Sequence, residues 1–281
     1  MPGYLKNVAR SADGTAIGYR QYGSGPGLIL VHGGMQAAQH LAALAAALAG
    51  QFQVSVPDRR GRGLSQCDGT GFGVRQEVED LQALIAATGA RFLFGHSSGA
   101  LIVLQTALAG PSVDRVALYE PPLSIRGSAP TAWVPRFYRE IAAGKNAAAA
   151  VTALKGAQLD PVLTRLPRWL LTPLTAIAIR ERNRADGDIP AADLVPTFRF
   201  DVQIARETAD TTARYAALQE RVLLIGGTRS PDYLGTALRE LAAVIPRGQV
   251  MTLPGLGHSG PQNNGRPRVV ARVLRDFLTA D

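Results

Sequence analysis

Arg91-Phe92-Leu93-Phe94-Gly95-His96-Ser97-Ser98-Gly99-Ala100-Leu101-Ile102 is the stretch of this 281-residue chain that decides its architecture. Residues 91–94 are a short apolar run of the kind that forms a buried strand, and residues 98–109 read as a helix stopped by Gly110. Between them, Gly95 to Gly99 must reverse the chain in one sharp turn. A serine at such a turn brings its backbone against the neighbouring strand and helix. The positions two before and two after it therefore cannot readily carry a Cβ, and both are glycine. G-x-S-x-G by itself is a common pattern. Between a strand and a helix it is the setting that presents a serine hydroxyl as a nucleophile, so Ser97 is the first candidate catalytic residue.

Outward from this turn the chain alternates. Residues 15–22, 27–31, 51–56, 115–119, 221–225 and 249–253 are strand-like runs ending near Gly, Pro or Glu. Helical patterns at 37–48, 76–88, 233–244 and 267–278 lie between or after them. In residues 76–88, Val78, Leu81, Leu84 and Ile85 share one face while Glu77, Glu79 and Asp80 suit the first turn of a helix. Strands separated by helices predict an α/β fold with a mostly parallel sheet covered on both faces. Residues 123–196 break the rhythm with several helices and no strand. We expect residues 1–122 and 197–281 to form the core and 123–196 a helical lid that walls a pocket.

Composition narrows the function classes. Hydrophobic residues are 46% and charged residues 19% of the chain, the balance of an ordinary globular protein. The longest apolar stretches, 41–49 and 169–179, are about half of the ~20 residues a bilayer demands, so no membrane partner is expected. Residues 1–10 contain no apolar segment of a secretory signal, and a cytoplasmic location follows as the default expectation. Cys67 is the only cysteine, which precludes an intrachain disulfide. The net charge of +8 is carried mostly by scattered arginines, with Lys6, Lys145 and Lys155 the only lysines; no nucleic-acid stripe is expected. G-x-G-x-x-G after the first strand and Walker A are both absent, and the histidines show no ligand spacing, so neither cofactor nor metal is expected. The partner expected is a small-molecule substrate; oligomeric state is not legible.

Val31-His32-Gly33-Gly34 ends another strand, and a small-residue turn there can aim a backbone N–H at a developing oxyanion. Gly34 or Met35 can supply it, with Ser98 as the second donor; Gly34 and Ser98 are the preferred pair. With Asp58-Arg59-Arg60-Gly61-Arg62-Gly63-Leu64-Ser65 after the next strand, the turn at Ser97, the helical insertion and a late histidine, the chain resembles the α/β-hydrolase fold family over nearly its whole length. The resemblance implies that the Asp58–Ser65 segment is a shaped loop rather than a catalytic one. It also implies a base in the loop after the last strand, where Leu253-Pro254-Gly255-Leu256-Gly257-His258 places His258.

A serine needs such a base, because its hydroxyl is hardly ionised at neutral pH. Of the other histidines, His32 reads as bonding its loop backbone, His96 as pointing elsewhere on the turn, and His40 as packed in a helix. For the acid, the family normally reads Gly-x-x-Asp after the 221–225 strand. Here Gly227-Thr228-Arg229-Ser230-Pro231 puts Ser230 at that place, and a hydroxyl cannot stabilise an imidazolium as a carboxylate does. Asp232 is one alternative acid. Glu120, at the end of 115–119 and before Pro121 and Pro122, is the preferred one, an arrangement resembling that of some haloalkane dehalogenases. The expected set is Ser97, Glu120 and His258. It predicts a serine hydrolase that cleaves a small, largely apolar ester, thioester or lactone through an acyl-serine. Serine at the turn argues against the dehalogenases and epoxide hydrolases of that fold, which use a carboxylate there. A non-hydrolytic lyase or cyclase on the same scaffold, or a ligand-binding receptor, are the alternatives. Met35, Trp133, Phe137, Tyr138 and Trp169 are candidates to line the pocket.

Overall fold

A computed structural model of the chain describes residues 3–65, 72–110, 112–180 and 187–280; Cys67 lies outside them. Its strands are β1 (Leu5–Arg10), β2 (Ala16–Tyr22), β3 (Gly27–Val31), β4 (Gln53–Pro57), β5 (Phe92–His96), β6 (Arg115–Tyr119), β7 (Arg221–Gly227) and β8 (Gly248–Leu253). They form one sheet in the order β1-β2-β4-β3-β5-β6-β7-β8. The β1–β2 and β2–β4 pairs are antiparallel and the rest are parallel. The α/β class with a mostly parallel sheet is therefore as expected. β1 was not foreseen. It is an edge strand with four exposed residues, so its sequence carries little of the apolar alternation by which strands are recognised.

Helices α1 (Ala42–Leu48), α2 (Val74–Thr88) and α3 (Ser98–Leu108) precede β6. A 3-10 turn over Ala38–Leu41 splits the single helix expected at 37–48. Between β6 and β7 come α4 (Val134–Ala142), α5 (Asn146–Gly156), α6 (Pro161–Arg165), α7 (Arg168–Ala178), α8 (Ala191–Leu194) and α9 (Phe198–Glu207), with no strand among the described residues. Helices α10 (Asp232–Val244) and α11 (Pro267–Thr279) follow.

Alternation along the parallel strands divides the core in two. Leu93, Ile29, Val116, Leu118, Val222 and Leu224 face α2, α3 and α10. Their neighbours Phe92, Phe94, Leu28, Leu30, Ala117 and Leu223 face α1 and α11. This two-sided burial is why these strands read as continuous apolar runs. In the inserted helices, Phe137, Ala149, Ala153 and Val195 make a small core of their own. Helix α9 is different: it packs on α3 and adds Ile204 to the main core.

β5 lies inside the sheet with all five residues buried, and its C-terminal end is where the chain turns into α3. A Cβ on Gly95 would fall 2.5 Å from the Cα of Ala100, and one on Gly99 would fall 2.5 Å from the carbonyl oxygens of Val31 and His32. The obstacles are backbone atoms that cannot swing aside. Gly99→Ala should accordingly lower stability by about 1–3 kcal/mol, read as a lower denaturation midpoint in urea with an unchanged slope.

Candidate active site

The turn holds Ser97 at φ 55° and ψ −127°, a backbone state that non-glycine residues rarely adopt. Two hydrogen bonds hold it there: the Ser97 N–H donates to the Tyr119 carbonyl (2.9 Å), and the Ala100 N–H donates to the Ser97 carbonyl (2.8 Å). Ser98 is the first residue of α3, where a backbone N–H has no partner inside the helix. Gly34 stands opposite, and both line the same cavity as Ser97.

His258 lies in the loop after β8, where Nε2 is 3.0 Å from Ser97 Oγ and Nδ1 is 2.8 Å from Glu120 Oε2. Glu120 follows β6 directly and is fully buried. Its other oxygen accepts the Gly227 N–H at 2.6 Å, and its own N–H donates to the Ile225 carbonyl at 3.0 Å. Because β6 runs between β5 and β7, a carboxylate at its end reaches His258 from one side and the β7 backbone from the other. Tyr119 donates its hydroxyl to the Gly257 carbonyl (2.8 Å), and His96 Nε2 donates to the His258 carbonyl (2.9 Å). The loop is thus tied on both sides of the imidazole.

Ser97, Glu120 and His258 come together as the residue reading expected; Asp232 does not join them. It is the exposed first residue of α10, because Pro231 turns the chain away from the sheet end before the acid is reached. Ser230 Oγ, at the customary acid position, is buried without a hydrogen-bond partner. His32 bonds its loop backbone, with Nδ1 donating to the Gly33 carbonyl (2.9 Å) and Nε2 accepting the Arg59 N–H (3.2 Å). His40 Nδ1 accepts the Ala37 N–H at 3.1 Å. The Asp58 loop is shaped by its own acid, whose two oxygens accept the Ala38 and Leu64 N–H groups at 2.8 and 3.1 Å.

A group of buried charges beside the turn was not anticipated. Asp201, on α9, accepts Ser98 Oγ–H (2.6 Å) and Arg59 Nη1 (2.7 Å) with one oxygen, and Arg62 Nη2 (2.6 Å) with the other. Arg59 also pairs with Glu77 of α2 at 2.7 Å. Two arginines and two acids balance in charge, and all four are buried. Burial pushes the Asp201 carboxyl up, but the adjacent Arg62 and Arg59 outweigh it and hold the group below its ordinary value. Burial, with Arg59 as a like-charged neighbour, brings Arg62 down to about 10. Asp201 has no local motif. Its one signal is an acid on the apolar side of α9, among Phe198, Val202 and Ala205.

Above Ser97 opens a cavity of about 790 Å³. Met35 and Trp133 line it, as expected. Phe137, Tyr138 and Trp169 do not, and each is a correction with a packing cause. Phe137 is fully buried inside the inserted helices, its ring centroid 5.7 Å from that of Phe198. Tyr138, the next residue on α4, points out toward the Arg199 carbonyl. Trp169 is 76% exposed on the outer face of α7. Among the described residues no group of His, Cys, Asp or Glu could hold a metal ion, and no helix is long and apolar enough to cross a membrane.

Residues 28–273 match the profile of the Alpha/beta hydrolase family. A pimeloyl-[acyl-carrier protein] methyl ester esterase of Xanthomonas campestris is 30% identical over 271 residues, 92% of this chain and 97% of its own. A 2-(acetamidomethylene)succinate hydrolase of Mesorhizobium japonicum is 27% identical over 94% of this chain and 92% of its own. Among solved structures, an alpha/beta hydrolase from Sphaerobacter thermophilus superposes with a TM-score of 0.78 at 30% identity, covering 97% of this chain and all of that one.

Two histidines near the turn make stability depend on pH. Burial, reinforced by the neighbouring His258, lowers His96 to about 3, and burial with Arg62 and Arg59 nearby holds His32 well below its ordinary value. An unfolded chain protonates both near pH 6.5, so below that pH it binds more protons than the folded chain, and stability falls as pH falls. Unfolding free energies in urea between pH 7 and pH 5 should decline by up to about 1.4 kcal/mol per pH unit for each of these histidines. In His96→Asn the decline should be shallower by about one proton.

Proposed function

The chain belongs to the alpha/beta hydrolase family, and from that premise we propose that it is a serine hydrolase acting on a small, largely apolar carboxylic ester, thioester or lactone through an acyl-serine. The observation that carries this reading is the unbroken run of hydrogen bonds from Glu120 through His258 to Ser97, at 2.8 and 3.0 Å.

The chemistry follows from the atoms at each end of that run. With its Nδ1–H bonded to the Glu120 carboxylate, His258 is held in the tautomer whose Nε2 lone pair faces Ser97 Oγ. Nε2 takes the hydroxyl proton as Oγ attacks the substrate carbonyl carbon, and the imidazolium formed is stabilised by Glu120. The carbonyl oxygen gains negative charge within reach of the Gly34 and Ser98 N–H groups. His258 returns the proton to the departing alcohol or thiol. Water then repeats the sequence on the acyl-serine and releases the acid. The cavity favours apolar substrates, because Pro122, Ala129, Leu154, Leu159 and Val202 are among its walls. The esterase and hydrolase named among the relatives support acyl transfer as the reaction class.

The reading is tested with a fluorophosphonate probe followed by peptide mapping: label on Ser97 is expected, and folded protein that takes none refutes an activated serine. On p-nitrophenyl butyrate, Glu120→Gln should lower kcat by about 10²-fold to 10⁴-fold, since it removes the charge that balances the imidazolium. Asp232→Asn should stay within about twofold of wild type, as expected of an exposed residue away from His258. The reverse ranking would give the acid's role to Asp232.

A further inference from the structure

The buried charges beside the turn play no part in the mechanism above, yet they touch both groups to which it assigns the oxyanion. Ser98, one donor, hands its side-chain hydroxyl to Asp201 at 2.6 Å and receives Arg59 Nη1 at 3.1 Å. Gly34, the other donor, packs its Cα on the same helix: a Cβ there would fall 3.1 Å from the Asp201 carboxyl carbon and 2.4 Å from the Phe198 ring. One carboxylate therefore abuts both sides of the oxyanion site. It does so from α9, an element that precedes neither donor in sequence and belongs to neither strand that carries them.

A negative charge so close to a developing oxyanion would oppose catalysis if it were bare. It is not bare. Arg59 and Arg62 donate to its two oxygens at 2.7 and 2.6 Å, and Glu77 pairs with Arg59 from the other side. Arg62 keeps Nη1 buried and without a hydrogen-bond partner, so its donor capacity is not exhausted by Asp201. An ordinary anchor for a helix needs one ion pair. Here a four-charge cluster ends on the hydroxyl of the residue next to the nucleophile.

Resting on the hydrolase reading above, we infer that Asp201, clamped by Arg59 and Arg62, is a positioning residue that fixes the Ser98 and Gly34 backbone N–H groups at the oxyanion site. Asp201 acts through the Ser98 hydroxyl on one side and by direct packing on Gly34 on the other. Because the clamp sits on α9, docking of that helix and completion of the oxyanion site are one event.

The test is a double-mutant cycle on p-nitrophenyl butyrate with Ser98→Ala, Asp201→Asn and the pair. Ser98→Ala removes only the hydroxyl and leaves the N–H and all four charges, so it keeps the question answerable should the Asp201 variant fail to fold. Each single change should lower kcat about tenfold or more while KM moves less than about twofold, since a misplaced donor is felt in the transition state. The pair should be no worse than the poorer single variant, because Ser98→Ala removes and Asp201→Asn weakens the same link. The inhibition constant of a trifluoromethyl ketone, whose serine adduct places an oxyanion between the two donors, should rise by the same factor as kcat/KM falls. A merely structural anchor would shift the melting temperature and leave that correlation absent. Wild-type kcat and inhibition in Ser98→Ala, or factors that multiply in the pair, overturn the inference alone. A wild-type protein that neither turns over the ester nor takes the fluorophosphonate label overturns the hydrolase reading, and this inference with it.

Discussion

Everything at the functional end of the molecule depends on Ser97 keeping a positive φ. That conformation costs on the order of 1–3 kcal/mol for a residue with a side chain, and the surrounding structure must over-determine it. It does so by proximity. Gly95 and Gly99 let the Ala100 and Val31-His32 backbones come closer than any Cβ would allow, and the Tyr119 carbonyl fixes the Ser97 N–H from the next strand. The strands β3, β5 and β6 are thereby locked in one mutual placement. The groups that end those strands, Gly34, Ser97 and Glu120, inherit it.

The position of Glu120 follows from the same geometry. Glu120 meets His258 from the end of β6, and β7, its neighbour in the sheet, gives the Gly227 N–H to the same carboxylate. From β6, Glu120 reaches Nδ1 at 2.8 Å, and its burial is offset by two hydrogen bonds, from His258 and from the Gly227 backbone. Glu120 itself sits at φ 49°, a second strained residue at the same edge of the sheet. The vacated place on the β7 side holds Ser230, whose hydroxyl finds no partner.

Features with a local cause were legible in the sequence. The alternating strands and helices and the turn at Ser97 each show in a few consecutive residues, while His258, the misfit of Ser230 and Glu120 at a strand end before two prolines became legible only through the resemblance to the family. The rest depends on contacts between distant segments. β1 is paired by an exposed edge rather than by burial. The aromatic residues of the inserted helices could be read as amphipathic but not oriented, so Phe137, Tyr138 and Trp169 were assigned to a cavity that Phe198 and Val202 share with Trp133. Asp201 meets Arg59 and Arg62 across 142 and 139 residues of chain, a pairing with no local trace.

That last pairing bears on how freely the inserted helices can be exchanged in evolution or by design. Insertions at this edge of a sheet are commonly regarded as cassettes, replaceable because their ends are close and their packing is their own. Here the cassette carries one of the two anions that neutralise a pair of arginines buried in the core. A graft that ended before α9 would be tolerated by the sheet, whereas one that replaced α9 would have to bring an acid to the same place or shed Arg62 along with it, since Glu77 still pairs with Arg59. The nascent chain faces the same constraint, since Arg62 leaves the ribosome well before Asp201, the acid that pairs with it. Neutralising the buried arginines thus waits on α9, a segment made long after them in the chain.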